Sequence, residues 1–479
     1  MSSSTAKKLI LCVVDGLPAS LLESELSAGS LPNLAGLAEH AEYGRGTSVF
    51  PSVTPVCLSS IATGENVARH GIPHIAWFDR DEGRVVDYGS STRAVLAAGP
   101  MQVWRDSMVE MTRTHLSREV DTIFESLERQ RLVTATVTFT CFRGPVPHEI
   151  RFPRFLRRGR WFETVHAPSK FFFFNLFESD PITTPLALRS RGSGSVDAYG
   201  AAVAAHLVAD DAFDFFLFYM PDLDYSAHLT GDEGARTALR RVDGHLGSLF
   251  AAAGGLDAFL DRYAIVVTSD HGYSGVHGSV RLEDLLSDLR VLGSGGTRVP
   301  EEGDVAVCAS MRVGAVYRLA GCREDARGLA ARLERSAAID LTLFKEGDEA
   351  VARRDGEELR FRPNGASAST NGDAWSCSGS NDVLDRARYP DGLSRVWHAL
   401  SARRSGDVLV SAADGWEFLD LAGRDHVGGA AHGSLAAGDS LVPVLSAGVA
   451  LPTEGALSIT DLAPLARAHF ADQHLPFVA

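Results

Sequence analysis

The stretch Leu9-Ile10-Leu11-Cys12-Val13-Val14-Asp15-Gly16 decides the fold. Six apolar residues in a row are too few for a helix, and with no polar alternation both faces of the segment are expected to be buried. That describes a strand inside a parallel sheet, and it stops abruptly at a carboxylate. Two further runs repeat the pattern. Residues 213–219 lead into Asp222, Asp224 and His228, and residues 263–268 lead into Asp270-His271-Gly272. Helix-spaced segments lie at 120–130 and 232–250. The alternation predicts an α/β fold with a doubly wound, mostly parallel central sheet flanked by helices, carrying inserted cap segments. Ligands of such sheets sit beyond the carboxyl ends of the strands, where these acids and histidines fall.

Two stretches break the rhythm. Residues 143–194 interleave Arg151, Arg154, Arg157, Arg158, Arg160 and Lys170 with Phe152, Phe155, Trp161, Phe162 and the run Phe171 to Phe174. This reads as a cap whose aromatics mostly cover core, with Arg151 and Arg154 as candidate substrate contacts. Residues 301–404 read as a second insertion, with a short strand at 315–319, a helix at 323–335 and a Gly/Ser/Asn-rich surface loop at 364–381. The expected division is core at 1–142, cap at 143–194, core at 195–300, second cap at 301–404 and core at 405–479.

Composition narrows the function. Over 479 residues, 46 Lys and Arg stand against 61 Asp and Glu, a formal charge of −15 that repels nucleic-acid backbones and anionic membranes. A small-molecule substrate is expected instead. The six cysteines are scattered with no C-x-x-C pair, which fits reduced thiols in a cytoplasm. After Lys7-Lys8 only six apolar residues precede Asp15, short of a secretory apolar region, and no run is long enough to cross a membrane. No phosphate-cradling G-x-x-x-x-G-K-[ST] loop or G-x-G-x-x-G turn follows a strand.

The acidic strand ends cannot converge without a counter-charge, since two carboxylates about 4 Å apart repel by about 4 kcal/mol at an effective dielectric of 20. A metal cluster resolves the conflict. Asp224 and His228 are four apart and share one face of a helical turn, and a mixed Asp/His donor set favours zinc or a similar transition ion over calcium. Asp222 lacks that spacing and is assigned to support or solvent; His277 and His426 are left off the ligand set. In the segment from Phe50 to Gly64, Thr54 is expected at a helix N-cap, with Pro55 at the first helical position and Gly64 just past the end. Its hydroxyl would sit where a helix welcomes an anion.

Taken together, Val13-Val14-Asp15-Gly16, the Thr54 segment, Thr63-Gly64, His70-Gly71-Ile72, Asp224-x-x-x-His228, Ser269-Asp270-His271-Gly272 and His432-Gly433-Ser434-Leu435 resemble the alkaline phosphatase superfamily. The resemblance is greatest to its nucleotide pyrophosphatase/phosphodiesterase branch, and it spans nearly the whole chain. It implies two divalent metal ions, zinc being expected, one held by Asp224, His228 and His432 and the other by Asp15, Asp270 and His271. Thr54 would contact the second ion as the nucleophile. Two departures stand out. An Asn that commonly follows His-Gly-Ile in this branch is replaced by Ile75, with His74 beside it as a candidate substrate contact, and Pro55 removes the backbone donor after the nucleophile.

The expected activity is hydrolysis of a phosphodiester or pyrophosphate, with phosphomonoesterase or phosphonate carbon–phosphorus hydrolase as alternatives on the same site. A different class is a metal-retaining binding protein without turnover. A sulfatase is disfavoured because Cys57 is followed by Leu58-Ser59-Ser60 and not by the Cys-x-Pro-x-Arg pattern.

Overall fold

The computed structural model describes residues 7–149, 164–174, 176–178, 195–292, 299–365, 374–452 and 455–471. The opening apolar run becomes the strand Lys8–Val14, near the middle of a nine-stranded sheet. The order across that sheet is Leu457–Ser458, Glu42–Thr47, Leu441–Ala447, Tyr263–Thr268, Lys8–Val14, Phe215–Met220, Thr134–Val137, Lys170–Phe173 and Phe177–Glu178. Lys8–Val14 runs parallel to both neighbours, with Leu9 opposite Phe215 and Lys8 opposite Tyr263. Leu441–Ala447 is antiparallel on both sides and Phe177–Glu178 closes the far edge antiparallel, so the sheet is mostly parallel.

The two-residue period of a strand sorts this run between two cores. Leu9, Leu11 and Val13 pack with Phe50, Val56 and Leu58 on one face, while Ile10, Cys12 and Val14 pack with Leu34, Leu223 and Leu239 on the other. Each such side chain contributes about 1.5–3 kcal/mol by leaving water.

Observed boundaries differ where capping chemistry overrides periodicity. The strand expected at 213–219 is Phe215–Met220. The helix expected at 120–130 is Ile123–Glu128, started by a reciprocal capping box between Thr122 and Glu125. The helix expected from 232 begins at Asp222 and reaches Ala252, interrupted at Thr230 and at Gly231, whose φ of 63° suits glycine.

Residues 301–404 are far more regular than their composition indicates. They supply six strands of a seven-stranded antiparallel sheet ordered Val305–Ser310, Val313–Arg318, Val408–Ala412, Ile339–Glu346, Glu349–Arg354, Glu357–Pro363 and Trp375–Gly379. The last of these lies in the stretch 364–381 expected to be loop, and the helix expected at 323–335 is Ala326–Leu333, capped by Asp325. Within 143–194, Lys170–Phe173 is a strand of the central sheet, and Phe171 packs against Phe142 and Phe177 at ring distances of 4.5 and 4.9 Å. Arg151 and Arg154 lie outside the described residues. Among the described residues no helix is long and apolar enough to cross a membrane.

Candidate active site

Chain reversals at the carboxyl ends of the parallel strands assemble the site. Asp15 ends Lys8–Val14, Asp270 and His271 follow Tyr263–Thr268, and the helix bearing Asp224 and His228 starts right after Phe215–Met220. His432 enters from the short strand Ala430–Ala431. The structure brings these six side chains into two groups, Asp224 with His228 and His432, and Asp15 with Asp270 and His271. In the first, Asp224 Oδ2 lies 3.0 Å from His228 Nε2 and Oδ1 lies 3.7 Å from His432 Nε2. In the second, His271 Nε2 is 3.3 Å from Asp15 Oδ1 and 3.5 Å from Asp270 Oδ2. The groups touch, since the His271 and His432 rings stack at 3.6 Å.

The ring orientations are fixed from behind. His228 Nδ1 donates to the Ala430 carbonyl at 2.7 Å, His432 Nδ1 to that of Ser52 at 2.8 Å, and His271 Nδ1 to that of Gly272 at 3.0 Å. A carbonyl only accepts, so each Nδ1 carries the proton and each neutral ring turns the Nε2 lone pair into the site. The carboxylates are held likewise: Tyr219 donates to Asp15 Oδ2, and the Gly16 and His271 amides donate to Asp270 Oδ1 at 3.3 and 3.0 Å. What remains is a set of buried atoms with no hydrogen-bond partner: Asp15 Oδ1, Asp224 Oδ1, Asp270 Oδ2 and His432 Nε2. Buried polar atoms of a folded protein are nearly always satisfied. Four orphans aimed at two points fit a pair of cations.

The electrostatics agree. Burial, then the neighbouring Asp270 and Asp224 charges, push the Asp15 carboxyl well above its ordinary range, and burial raises Asp270 despite the His271 ring. Burial would raise Asp224 too, but His228 and His432 reverse this and hold it low. Burial and the adjacent His271 keep His432 neutral.

Thr54 differs from expectation by one residue. The helix is Thr54–Thr63 with Val53 at the N-cap, so the Thr54 hydroxyl opens the helix without capping it. It is free to point across, and its Oγ1 lies 3.2 Å from His271 Nε2. Thr54, Asp15, Asp224 and His228 share the wall of one cleft of about 780 Å³, with Ile75, Met111, Phe173 and Met311 among its apolar lining.

His74 is corrected by its surroundings. It is buried, accepts the Ala76 amide at Nδ1 over 3.1 Å and does not line the cleft, which Ile75 does. Asp222 accepts from Ser195 Oγ at 2.5 Å and from the Val196 amide at 3.2 Å, so it starts the neighbouring helix and faces away from the ligand groups. His426, set aside from sequence, does reach the cleft, where its ring stacks on His228 at 4.2 Å. His277 is exposed.

Sequence reading missed one buried support. Asp439 accepts the Ser434 amide at 2.8 Å and the Ser274 hydroxyl at 2.5 Å, pairs with Arg312 at 3.1 Å, and takes the Gly272 amide on its main-chain oxygen at 3.0 Å. It ties the His432 loop to the His271 loop. Its partners are remote in sequence, so no local pattern marks it.

Comparison with known proteins follows this geometry. Phosphonoacetate hydrolase from Sinorhizobium meliloti 1021, in complex with phosphonoformate, superposes with a TM-score of 0.60 at 18% identity, over 97% of this chain and 96% of that one. Murine ectonucleotide pyrophosphatase/phosphodiesterase 5 superposes with a TM-score of 0.58 at 15% identity, over 98% and 96%. An inactive form of the murine protein in complex with AMP gives 0.59 at 15%. At these identities the likeness concerns the fold. Among curated proteins no sequence match is found. The profile of one family, type I phosphodiesterase / nucleotide pyrophosphatase, matches residues 9–435, nearly the whole chain, a range that includes the candidate residues from Asp15 to His432. The chain therefore belongs to the type I phosphodiesterase / nucleotide pyrophosphatase family of metal-dependent phosphoester hydrolases.

Proposed function

We propose that the protein hydrolyses a phosphodiester or pyrophosphate by attack of the Thr54 hydroxyl on phosphorus. The carrying observation is the pair of ligand groups with orphaned inward atoms, beside which Thr54 Oγ1 lies 3.2 Å from His271 Nε2. Two divalent ions, zinc by the nature of the donors, held by Asp224, His228 and His432 and by Asp15, Asp270 and His271, would polarise phosphoryl oxygens and acidify the Thr54 hydroxyl. The Thr54 oxygen forms a bond to phosphorus as the bond to the leaving oxygen breaks. Water then attacks the phosphothreonine and restores the hydroxyl. The amino end of helix Thr54–Thr63 favours the negative charge that gathers on phosphorus. Because Pro55 has no N–H, the first turn supplies fewer donors and the ligand groups bear more of that stabilisation. The inactive murine relative differs by a threonine-to-alanine change, in keeping with a threonine nucleophile.

Ile75 favours a second reading, hydrolysis of a phosphomonoester or phosphonate, because the cleft has an apolar side chain where relatives commonly place an amide. Elemental analysis combined with turnover of bis-p-nitrophenyl phosphate, p-nitrophenyl phosphate and phosphonoacetate decides between them. About two transition ions per chain and fastest turnover of the diester are expected. An active protein holding only magnesium, or no metal, overturns the reading; full metal content without turnover of any of the three identifies a binding protein.

A further inference from the structure

Among the described residues that line the cleft, Arg424 is the one Lys or Arg. Other described arginines held from water are paired, as half-buried Arg84 is with Asp106 and buried Arg143 with Glu125. The Arg424 guanidinium makes no hydrogen bond or ion pair with any described residue, although two buried acids stand in its own loop. Those acids are committed elsewhere. Asp420 Oδ1 takes the amides of Ala422 and Arg424, each at 2.9 Å, and Oδ2 takes the Ser91 hydroxyl. Glu417 takes the amide of His426 on one oxygen and its Nδ1 at 2.9 Å on the other. The loop is thus braced by carboxylates, and no acid among the described residues cancels the Arg424 charge. Its end is anchored to the ligand groups, because His426 stacks on His228 at 4.2 Å. Two residues of chain span at most about 7 Å, so the Arg424 main chain lies close to that contact. A cation held partly out of water without a counter-ion is unfavourable until an anion arrives.

We propose that Arg424 is a specificity-determining residue that binds a second anionic group of the substrate, a phosphate or carboxylate a few bonds beyond the reacting phosphoryl. The proposal rests on the reading above only in placing that phosphoryl at the two ligand groups. It selects, among phosphoesters, those with a second negative charge, and its planar fork suits the two oxygens of such a group.

Calorimetric binding to metal-loaded, desalted protein tests this apart from turnover. Inorganic phosphate probes the ligand groups alone; pyrophosphate and phosphonoacetate add a second phosphate or a carboxylate. Wild type is expected to bind at least one of the two about tenfold or more tightly than phosphate, the value of a charge-assisted contact. Arg424→Ala should erase that margin, with Arg424→Lys keeping part of it. A margin for pyrophosphate alone assigns a second phosphate, and for phosphonoacetate alone a carboxylate. A wild type with no margin, or an Arg424→Ala variant that loses affinity for all three anions equally or for none, overturns the proposal. Wild type that binds with the expected margin yet hydrolyses no phosphoester would instead refute the hydrolase reading and leave this one standing.

Discussion

The two large sheets of this protein use their strands in opposite ways. In the nine-stranded sheet the parallel strands Lys8–Val14, Phe215–Met220 and Tyr263–Thr268 all end on one side, so three unrelated stretches of sequence deliver their next residues to one place. In the seven-stranded sheet every pairing is antiparallel, and consecutive strands end on opposite sides. It sends the tight turn between Val305–Ser310 and Val313–Arg318 toward the site, bringing Met311 to the cleft and Arg312 to Asp439. Elsewhere its polar residues pair with each other, as Arg360 does with Glu346 and Glu349, or with the helix Ala326–Leu333, whose Arg327 pairs with Glu346 and Glu358. Parallel topology concentrates chemistry; antiparallel topology here provides a wall.

The comparison is testable because changes in the first sheet should act on activity and changes in the second on stability. The largest effect is expected from Thr54→Ala, with turnover falling by about three or more orders of magnitude, as on removal of other nucleophiles. The melting temperature should hardly move, since the hydroxyl caps no amide. Near-wild-type rates would show that water, not Thr54, attacks.

Next comes Asp439→Ala at the seam between the sheets. It removes the 3.1 Å partner of buried Arg312 and leaves it only the exposed Asp414 at 3.9 Å, which costs up to about 3–5 kcal/mol, and it frees the loops of both ligand groups together. Chemical denaturation and metal analysis should show lower stability and loss of both ions; loss of one ion alone would mean that Asp439 supports a single loop. Leu343→Ala, deep in the antiparallel sheet, should cost about 2–5 kcal/mol. Metal content per folded molecule should stay at the wild-type value, and a fall in it would erase the distinction drawn here.

The smallest effect is expected from Arg327→Ala, because partly exposed ion pairs contribute about 0–1 kcal/mol. Its pH signature is more telling. Hydrogen bonds from Arg327 and Arg360 pull the Glu346 carboxyl down to about 2. A depressed carboxyl stabilises the fold fully above its unfolded value of about 4.3, and that contribution disappears as pH falls through about 2. Acid titration of stability should therefore be shallower in Arg327→Ala over this interval; superimposable curves would remove the pairing from the account.

Legibility in sequence follows the same divide. Asp15, Asp224, His228, Asp270, His271 and Thr54 each adjoin a strong local pattern, an apolar run or a turn opening a helix, and the structure gathers them with His432. The antiparallel strands were harder to see. Segments such as Glu349–Arg354 and Glu357–Pro363 are half polar because their surface ion pairs need charged residues, so composition alone resembles loop. His74 does not line the cleft although its neighbour Ile75 does, so nearness in sequence is not nearness to the cleft. Arg424 sits in a loop and Asp439 in the single helical turn Ala437–Ser440, both too short to show a period, and what gives them meaning is their place in the fold, Arg424 on the cleft wall and Asp439 among partners far along the chain.

The hold that Ser52 and His432 have on each other also sets a timetable. Ser52 Oγ donates to the Ser434 carbonyl at 2.8 Å across 382 positions, and His432 Nδ1 donates to the Ser52 carbonyl. Synthesis from the N-terminus proceeds at about 5–20 residues per second, so the Thr54 loop waits roughly 20–80 s for its partner. Over the same interval Glu42–Thr47 has no Leu441–Ala447 strand to join it to the rest of the sheet. During its birth on the ribosome the chain must therefore carry an unfinished sheet edge, and the loop bearing Thr54 stays without its hold on residues 432–434, until that later stretch of the polypeptide emerges.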